Sequence, residues 1–275
     1  MRPVFGNSAW VDTRERLVLR GGTSQRVALR VRYGFLHHPT AGPTLIDTGY
    51  TEHALSAAGR GMALRLYSRL LSPRLNEAEQ PALFLAHFGL TPEDITTIIV
   101  THFHADHVSG LCLFPNARFV ASDAAWDRIS QRGAFANLRH GIFPELLPKD
   151  FAARLAPVEA LPEKSHSSGL SGWDLFDNGS ILAVALPGHA DGHMGLLFDD
   201  PSEPVFYATD TQWMLAALPK HARPRITARM IADAPKQLDA SSDLVLEFQK
   251  AGGRVVLCHD PAPSPFDHDV ETHLA

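Results

Sequence analysis

The chain has 275 residues, of which 45% are hydrophobic and 20% are charged, the balance of an ordinary globular protein with a sizeable core. A formal net charge of -5 argues against a nucleic-acid-binding protein, which would usually carry a basic surplus. Two cysteines, Cys112 and Cys258, are too few for a disulfide framework. Histidine is the unusual residue type, because fifteen are present and several stand close together.

The chain shows no targeting or membrane segment. The first residues contain no apolar stretch of the kind found in a signal peptide. No run of about 18 apolar residues predicts a membrane span. We therefore expect a cytoplasmic protein whose partner is a small-molecule substrate, with no membrane and no nucleic acid involved.

Apolar alternation predicts strands, and apolar residues at helical spacing predict helices. No repeat or linker divides the chain, so we expect one domain over 1–275, built from sheets covered by helices. The predicted elements in chain order are strands at 16–19, 26–33 and 44–49, helices at 54–70 and 77–88, strands at 98–101 and 118–121, a helix from 122, an irregular stretch at 133–172, strands at 180–186, 195–198 and 205–209, a helix at 241–250 and a strand at 255–258.

A cluster of metal-binding residue types follows the predicted strand at 98–101. His102 and His104 are two residues apart in an extended segment, so both imidazoles point to the same side and can share one metal ion. Asp106 and His107 follow where the chain turns toward a helix, and they can address a neighbouring ion. Four such groups at one strand end would be costly to bury without a purpose. Nitrogen and oxygen ligands suit zinc, although manganese, iron or cobalt also fit.

Three other predicted strands each end on a metal-binding residue type. These residues are His189, Asp210 and His259. Each one alone could equally be a turn aspartate or a surface histidine. Together with the cluster at 102–107, they indicate a single metal centre assembled from several strand ends.

These motifs and their order resemble those of the metallo-β-lactamase fold hydrolases over about residues 16 to 260. The resemblance implies an α/β protein with the αββα sandwich of the metallo-β-lactamase fold, in which two facing mixed β-sheets are flanked by helices. The matching stretches are Leu-Ile-Asp-Thr-Gly at 45–49, Thr-His-Phe-His-Ala-Asp-His-Val-Ser-Gly at 101–110, Pro-Gly-His-Ala-Asp-Gly-His at 187–193, Asp210, and Cys-His-Asp at 258–260.

The resemblance also implies a complete set of ligands for two divalent metal ions, with zinc as the expected metal. Asp210 would bridge the two ions. His193 would support the centre from outside, and Asp47 would orient it through hydrogen bonds. The remaining ligands would be His102, His104 and His189 for one ion and Asp106, His107 and His259 for the other.

Such a centre implies hydrolysis. Two metal ions roughly 3.5–4 Å apart can hold a bridging hydroxide that attacks a carbonyl carbon, while the ions stabilise the carbonyl oxygen and the leaving group. Asp106 and Asp210 are the expected catalytic residues, and Asp106 would accept or relay a proton. The sequence contains no Gly-x-Ser-x-Gly elbow that would indicate a competing serine nucleophile.

Within the superfamily, the layout most resembles the acyl-homoserine lactonase group. That group has a helical insertion, here about 50–90, and an irregular stretch, here 133–172. The resemblance therefore implies a lactone or ester hydrolase, with an acyl-homoserine lactone as the candidate substrate. Many of these lactonases place a tyrosine that contacts the substrate carbonyl three residues after the bridging aspartate. Here that position is Trp213, which we expect to form a wall of the substrate pocket.

Two other functions remain open. One is another hydrolase of the superfamily: a glyoxalase II-like thioesterase, a β-lactamase or a phosphodiesterase. Residues 261–275 lack the basic patch that glutathione would need, and a secreted β-lactamase would need a signal peptide. The other is a non-catalytic metal-binding protein, which is less favoured because all seven expected ligands are present. A homodimer formed through the 50–90 insertion is an expectation from the resemblance.

Overall fold

The chain forms two mixed β-sheets with helices outside them, as seen in a computed structural model that describes residues 2–55, 61–200, 203–224 and 232–268. The strands are β1 (Val4–Arg14), β2 (Arg26–His38), β3 (Gly42–Ile46), β4 (Arg74–Leu75), β5 (Thr97–Ile99), β6 (Arg118–Ala121), β7 (Leu155–Pro157), β8 (Glu163–Ser165), β9 (Ser171–Asp174), β10 (Ile181–Ala185), β11 (Met194–Phe198), β12 (Val205–Tyr207) and β13 (Arg254–Val256).

The helices are mostly short. The α-helices are α1 (Glu15–Val18), α2 (Glu52–Leu55), α3 (Met62–Leu71), α4 (Pro81–Ala86), α5 (Ala105–Val108), α6 (Asp123–Gln131), α7 (Ala134–Arg139), α8 (Phe151–Arg154) and α9 (Pro235–Lys250). Single 3-10 turns lie at Glu77–Glu79, Pro92–Asp94, Leu111–Leu113, Pro144–Leu146, Val158–Ala160 and Leu215–Ala217. Within the described ranges, no helix is both long and apolar enough to cross a membrane.

The two sheets differ in strand direction. The first has seven strands in the order β4-β1-β2-β3-β5-β6-β7, with an antiparallel half from β4 to β3 and a parallel half from β3 to β7. The second has six strands in the order β13-β12-β11-β10-β9-β8, and its only parallel pair is β12 with β13. Because β3 and β5 are parallel neighbours, the loops that follow them meet at one edge of the first sheet.

The side chains of strand β10 alternate between two separate apolar clusters, one on each face of the sheet. Ile181 faces the core shared by the two sheets, whereas Leu182 faces a second apolar cluster under helix α9. Strand side chains alternate between faces, so a strand covered on both sides is apolar throughout. The sheets touch directly where the rings of Phe5 and Tyr207 have centroids 4.6 Å apart. The sandwich of two facing mixed sheets flanked by helices, predicted from the sequence, is confirmed.

The first strand was predicted in the wrong place. The predicted strand at 16–19 is wrong, because that stretch belongs mostly to helix α1, and the first strand is β1. Strand β1 contains buried polar residues that interrupt its apolar alternation. The Asn7 side-chain oxygen accepts a hydrogen bond from the backbone N–H of Val31 at 2.9 Å, and the Ser8 hydroxyl donates to the Val31 carbonyl at 3.0 Å. A register shift in the pairing with β2 breaks the alternation further.

The 50–90 segment is helical in separate pieces. The predicted helix at 54–70 is found as the end of α2 and as α3, and residues 56–60 between them lie outside the described part of the chain. The predicted helix at 77–88 is a 3-10 turn followed by α4. Proline at position 81 begins α4, where a missing N–H costs nothing.

Two later predictions needed correction, one in the content of a segment and one in the start of a helix. The stretch at 133–172, predicted to be irregular, contains α7, α8 and β7 to β9, each only three to six residues long. Elements this short leave no visible period in the sequence. Helix α9 begins at Pro235 rather than near Ser241, and it ends just before Gly252 and Gly253, where a helix end was expected.

A buried ion pair joins strand β2 to the C-terminal segment. The Arg32 side chain is 1% exposed, and its Nε lies 2.7 Å from the Oδ1 atom of Asp267. Its two other nitrogens donate to the carbonyl groups of Leu257, Asp260 and Ala262 at 3.1, 2.7 and 2.7 Å. These contacts hold the segment that follows β13 against the first sheet.

Loss of this pair should destabilise the fold strongly. We expect Asp267→Asn to lower the free energy of unfolding by about 3 kcal/mol, because it leaves the buried guanidinium without its counter-charge. Urea unfolding followed by circular dichroism measures the change. Arg74→Ala is the control, since the Arg74–Asp12 pair is largely exposed and should contribute at most about 1 kcal/mol. Equal effects of the two substitutions would contradict the importance of the buried pair.

Candidate metal centre

Five loops meet at one edge of the sandwich. They follow β3, β5, β10, β12 and β13, the strands whose ends carry the predicted site residues. Backbone hydrogen bonds connect them, with Met194 N donating to Thr101 O at 3.1 Å and Cys258 N donating to Thr209 O at 3.0 Å. Side chains that are far apart in the sequence are therefore brought together on a shared backbone frame.

The first group of side chains consists of His102, His104, His189 and Asp210. All four are buried, and their potential ligand atoms lie within 4.8 Å of one another. The Nδ1 atom of His104 lies 3.1 Å from Nε2 of His102 and 3.0 Å from Nε2 of His189. Ligand atoms around a tetrahedral zinc ion with bonds of about 2.05 Å would be about 3.3 Å apart. The observed spacing therefore suits one metal ion.

The second group lies beside the first and contains His107, Asp210, Cys258 and His259, again with ligand atoms within 4.8 Å of one another. Asp106 borders it, because its Oδ2 atom is 3.3 Å from Nε2 of His259 and 3.8 Å from Nε2 of His107. Five side chains thus converge here, and four of them were predicted from the sequence.

The fifth, Cys258, was not predicted as part of the centre. In the sequence it follows the apolar run of a strand, and a buried free cysteine usually packs as a small apolar side chain. Its thiol donates to the carbonyl of Arg32 at 3.3 Å. Its position next to His259 was the available signal, since both residues follow the end of the same strand.

Asp210 belongs to both groups. Its Oδ2 atom lies 3.3 Å from Nε2 of His189 and 3.0 Å from Nε2 of His259, and its Oδ1 atom lies 3.5 Å from Nε2 of His107. No other side chain in the described ranges is common to both groups. One carboxylate therefore faces two adjacent sets of imidazole nitrogens, which is the arrangement of a bridging ligand.

Hydrogen bonds behind the imidazole rings determine which nitrogen faces the centre. Nδ1 of His107 donates to Oδ2 of Asp47 at 2.8 Å, and Nδ1 of His259 donates to the carbonyl of Arg30 at 2.7 Å. A proton held on Nδ1 leaves Nε2 available to bind a metal ion. Both rings are therefore oriented with Nε2 toward Asp210.

Asp47 connects the two ends of the histidine cluster. Its carboxylate accepts hydrogen bonds from the backbone N–H and the hydroxyl of Thr101, at 2.8 and 2.7 Å, in addition to the one from His107. Since the Thr101 hydroxyl donates to Asp47, it can only accept from Nδ1 of His102, 3.2 Å away. His102 is thereby also oriented with Nε2 toward the centre.

The turn that carries Asp47 has an unusual backbone. Asp47 and Gly49 have positive φ angles of 58° and 68°. A Cβ atom at position 49 would lie 2.3 Å from the hydroxyl oxygen of Ser8, so glycine is required for this close approach. The Asp-Thr-Gly motif thus places the Asp47 carboxylate under the centre.

His193 lies behind the centre and outside both groups. Its ring centroid is 5.1 Å from that of His102, but both of its nitrogens bind protein atoms. Nδ1 donates to the carbonyl of Leu186 at 2.7 Å, and Nε2 contacts the hydroxyl of Thr209. Of the two histidines in this loop, His189 is the one whose nitrogen reaches the first group.

Some polar atoms of the centre have no hydrogen-bond partner in the protein, and bound metal ions would supply one. Nε2 of His107 and Oδ1 of Asp210 are buried and make no hydrogen bond. A buried polar atom without a partner costs about 1–3 kcal/mol, which bound cations would offset here. The converging imidazole nitrogens and carboxylates are also the donor set that zinc prefers.

The histidines differ in charge between the two groups. Burial lowers the pKa of His102 well below its ordinary value and lowers that of His104 to about 3. Burial also lowers the pKa of His107 and His259, but nearby carboxylates outweigh it and raise both pKa values well above the ordinary value. Without metal ions, His107 and His259 therefore hold protons where His102 and His104 do not.

The carboxylates of the centre stay ionised. Burial raises the pKa of Asp106, but the positive charges of His107 and His259 outweigh burial and lower that pKa to about 2. The same two histidines hold the pKa of Asp210 well below its ordinary value. Two negative charges thus remain available to attract cations.

A cavity of about 330 Å³ opens over the centre. Trp213 lines it, with its ring perpendicular to that of His259 at a centroid distance of 6.3 Å. Tyr50 and Tyr67 line it as well. The apolar part of the lining is formed by Val11, Leu17, Leu29, Leu70 and Leu71.

The family model of the metallo-beta-lactamase superfamily matches residues 35–236. The chain belongs to this superfamily. The chain is also 25% identical over 247 residues to the N-acyl homoserine lactonase AttM of Azorhizobium caulinodans, covering 89% of this chain and 87% of that one. It is 25% identical over 180 residues to the N-acyl homoserine lactonase of a Bacillus species, covering 65% of this chain and 63% of the relative.

A solved structure gives the same fold. It is AiiA of B. thuringiensis with N-decanoyl-L-homoserine bound at its active site, which has a TM-score of 0.69 and 17% sequence identity and covers 99% of this chain and 95% of its own. At this identity the likeness shows the fold. The resemblance to metallo-β-lactamase fold hydrolases, and within them to the lactonase group, is confirmed.

Removal of the charge on Asp47 should weaken metal binding without removing any proposed ligand. We expect Asp47→Asn to lower zinc affinity about 10- to 100-fold, because a neutral amide holds the His107 ring less firmly. Competition with a chromophoric chelator measures the affinity. Asp150→Asn is the control, since the Asp150 side chain is 62% exposed. Equal affinities for Asp47→Asn and the unaltered protein would contradict the role of Asp47.

Proposed function

We propose that the chain is a dinuclear metal-dependent hydrolase that opens a lactone or ester, and that N-acyl homoserine lactones are the substrate class to test first. The position of Asp210, with its carboxylate facing both groups of histidines, carries this proposal. A carboxylate shared between two neighbouring groups is the arrangement needed to hold two cations side by side.

We infer that both ions are zinc, from the nitrogen and oxygen donors. Bound together, the ions would supply a water-derived nucleophile at neutral pH and polarise a carbonyl group. The proposed ligands are His102, His104, His189, Asp106, His107, His259 and the bridging Asp210.

Asp106 is the residue best placed to move a proton. It lines the cavity, and its side chain is 12% exposed, more than that of Asp210. Its carboxylate is ionised because its pKa is lowered to about 2, and as a weak base it would hold only transiently the proton that the attacking water loses. We propose that Asp106 passes this proton to the leaving oxygen. Asp210 would act mainly by holding the reacting groups in place.

The shape of the cavity supports an acyl substrate. Its aliphatic lining residues come from strands β1 and β2 and from helices α1 and α3. An acyl chain would cover that surface, whereas a phosphodiester would leave it exposed to water. The lactonases to which the chain is similar support the same substrate class. The thioesterase and β-lactamase alternatives would use the same centre.

Metal content and turnover together test the proposal. We expect about two metal ions per chain and hydrolysis of lactones or aryl esters. His102→Ala and Asp210→Ala should each lower the metal content and abolish hydrolysis, because each substitution removes a proposed ligand. Elemental analysis and a panel of lactones, aryl esters, thioesters, nitrocefin and bis-nitrophenyl phosphate provide the measurements. Metal-loaded protein that hydrolyses no lactone or ester would refute the substrate class. Protein that cannot be loaded with metal would refute the mechanism.

Acid should remove the two metal ions in sequence. Protons compete with a metal ion at His107 and His259, whose pKa values are raised, so affinity there falls as pH decreases. At His102 and His104 the pKa values are lowered, and protons compete only at much lower pH. Dialysis from about pH 8 to about pH 6 should therefore remove one of two ions, as elemental analysis can show.

A variant with only one complete group provides the control for the acid experiment. His107→Ala should retain its single metal ion over the same pH range, because the first group is unchanged. Simultaneous loss of both ions from the unaltered protein would show that the groups do not differ in this way.

A further inference from the structure

Two tyrosines from separate segments meet in the cavity over the metal centre. Tyr50 follows strand β3, and Tyr67 lies on helix α3. Both line the cavity. Tyr50 is 1% exposed, whereas Tyr67 is only partly buried. Of the two hydroxyl groups, that of Tyr67 is therefore the one that a bound molecule can reach.

The hydroxyl of Tyr67 is held in place by the segment at 141–143. The Tyr67 ring packs against the ring of Phe143 at a centroid distance of 4.9 Å. Gly141 lies under the hydroxyl, because a Cβ atom at that position would be 3.2 Å from the phenol oxygen. The carbonyl of Gly141 accepts a hydrogen bond from Ala105 N at 3.3 Å. The support of Tyr67 is thus bonded to the same loop that carries His104.

Tyr67 also lies within electrostatic reach of the centre. Its hydroxyl interacts with the charges of Asp106, His259 and Asp210. These residues come from two different sheets and border the place where a substrate carbonyl would be attacked. In the described part of the chain, the one other phenol that lines the cavity is Tyr50, whose hydroxyl is buried and makes no hydrogen bond.

Trp213 offers no hydroxyl to the cavity. Its one polar group is an indole N–H, and its ring packs against the His259 ring at an interplanar angle of 89°. The remaining neutral donor in the lining, Thr13, belongs to strand β1 among the apolar residues of the cavity. The Tyr67 hydroxyl, by contrast, interacts with the charges of both carboxylates of the centre.

We propose that the Tyr67 hydroxyl donates a hydrogen bond to the carbonyl oxygen of the bound acyl substrate and stabilises the negative charge which that oxygen gains during hydrolysis. The inference rests on the proposed function. The proton stays on Tyr67 throughout, and no covalent bond to the tyrosine forms or breaks.

A donor of this kind acts mainly on the rate of reaction. The hydrogen bond is stronger to an oxygen that carries negative charge than to a neutral carbonyl, so its loss lowers kcat more than it raises KM. A tyrosine that only supported the fold would instead lower thermal stability or metal content. The two roles therefore differ in what a single hydroxyl deletion changes.

The test compares Tyr67→Phe with the unaltered protein on a lactone and an aryl ester. We expect kcat to fall about 100-fold, at the low end for loss of one oxyanion donor, with KM changed less than about 3-fold. Metal content and melting temperature should stay the same. Tyr33→Phe is the matched control, because it deletes a buried hydroxyl that donates to the carbonyl of Glu79 outside the cavity. Its kcat should equal that of the unaltered protein.

A binding measurement gives a readout that does not depend on turnover. The ring-opened hydroxy acid carries a carboxylate where the substrate has its carbonyl, and calorimetric titration can measure its affinity. We expect Tyr67→Phe to bind this product about 10-fold more weakly, the effect of one hydrogen bond to a charged group.

The outcomes separate this inference from the proposed function. If the unaltered protein, loaded with metal, hydrolyses neither lactone nor ester, the proposed function fails and this inference fails with it. If the unaltered protein is active and Tyr67→Phe has the same kcat and product affinity, only the role of Tyr67 is refuted. A loss of metal or stability in Tyr67→Phe that matches its loss of activity would assign the tyrosine a structural role and also refute the proposal.

Discussion

The centre depends on one carboxylate that is buried beneath it. Asp47 accepts hydrogen bonds from Thr101 and His107, which lie at the two ends of the histidine cluster. Without this negative charge, the loop after β5 would have to bury several donors unpaired, at a cost of about 1–3 kcal/mol each. The strand pairing of β3 with β5 brings Asp47 to this place, so the position of the centre depends on the sheet.

The two halves of the centre are chemically unequal although they share Asp210. Burial dominates around His102 and His104, whereas carboxylates dominate around His107 and His259. The inequality follows from the fold, since Asp47 and Asp106 both lie on the side of His107. A substrate carbonyl would therefore approach two ions in different surroundings, one among neutral imidazoles and one among carboxylates. Such an asymmetric centre suits a reaction in which one oxygen gains charge while another leaves.

The sequence predicted the sheets and the centre to different degrees. Strand β10 was predicted because a strand that is buried on both faces is apolar throughout. The histidine cluster after β5 was predicted because the spacing of metal ligands is visible in the sequence. Strand β1 was missed because Asn7 and Ser8 are buried through specific hydrogen bonds that no pattern reveals. Cys258 and the Tyr50–Tyr67 pair were not predicted in the centre either, since only the tertiary structure shows what they face.

The buried ion pair of Arg32 and Asp267 joins two residues that are synthesised at very different times. No residue of the first group comes after Asp210 in the sequence, so a growing chain has all four of its side chains before β13 is made. His259 follows much later, and the residue that pairs with Arg32 to hold its loop comes later still. During synthesis, all side chains of the first group are therefore present before His259 and before the residue that holds its loop.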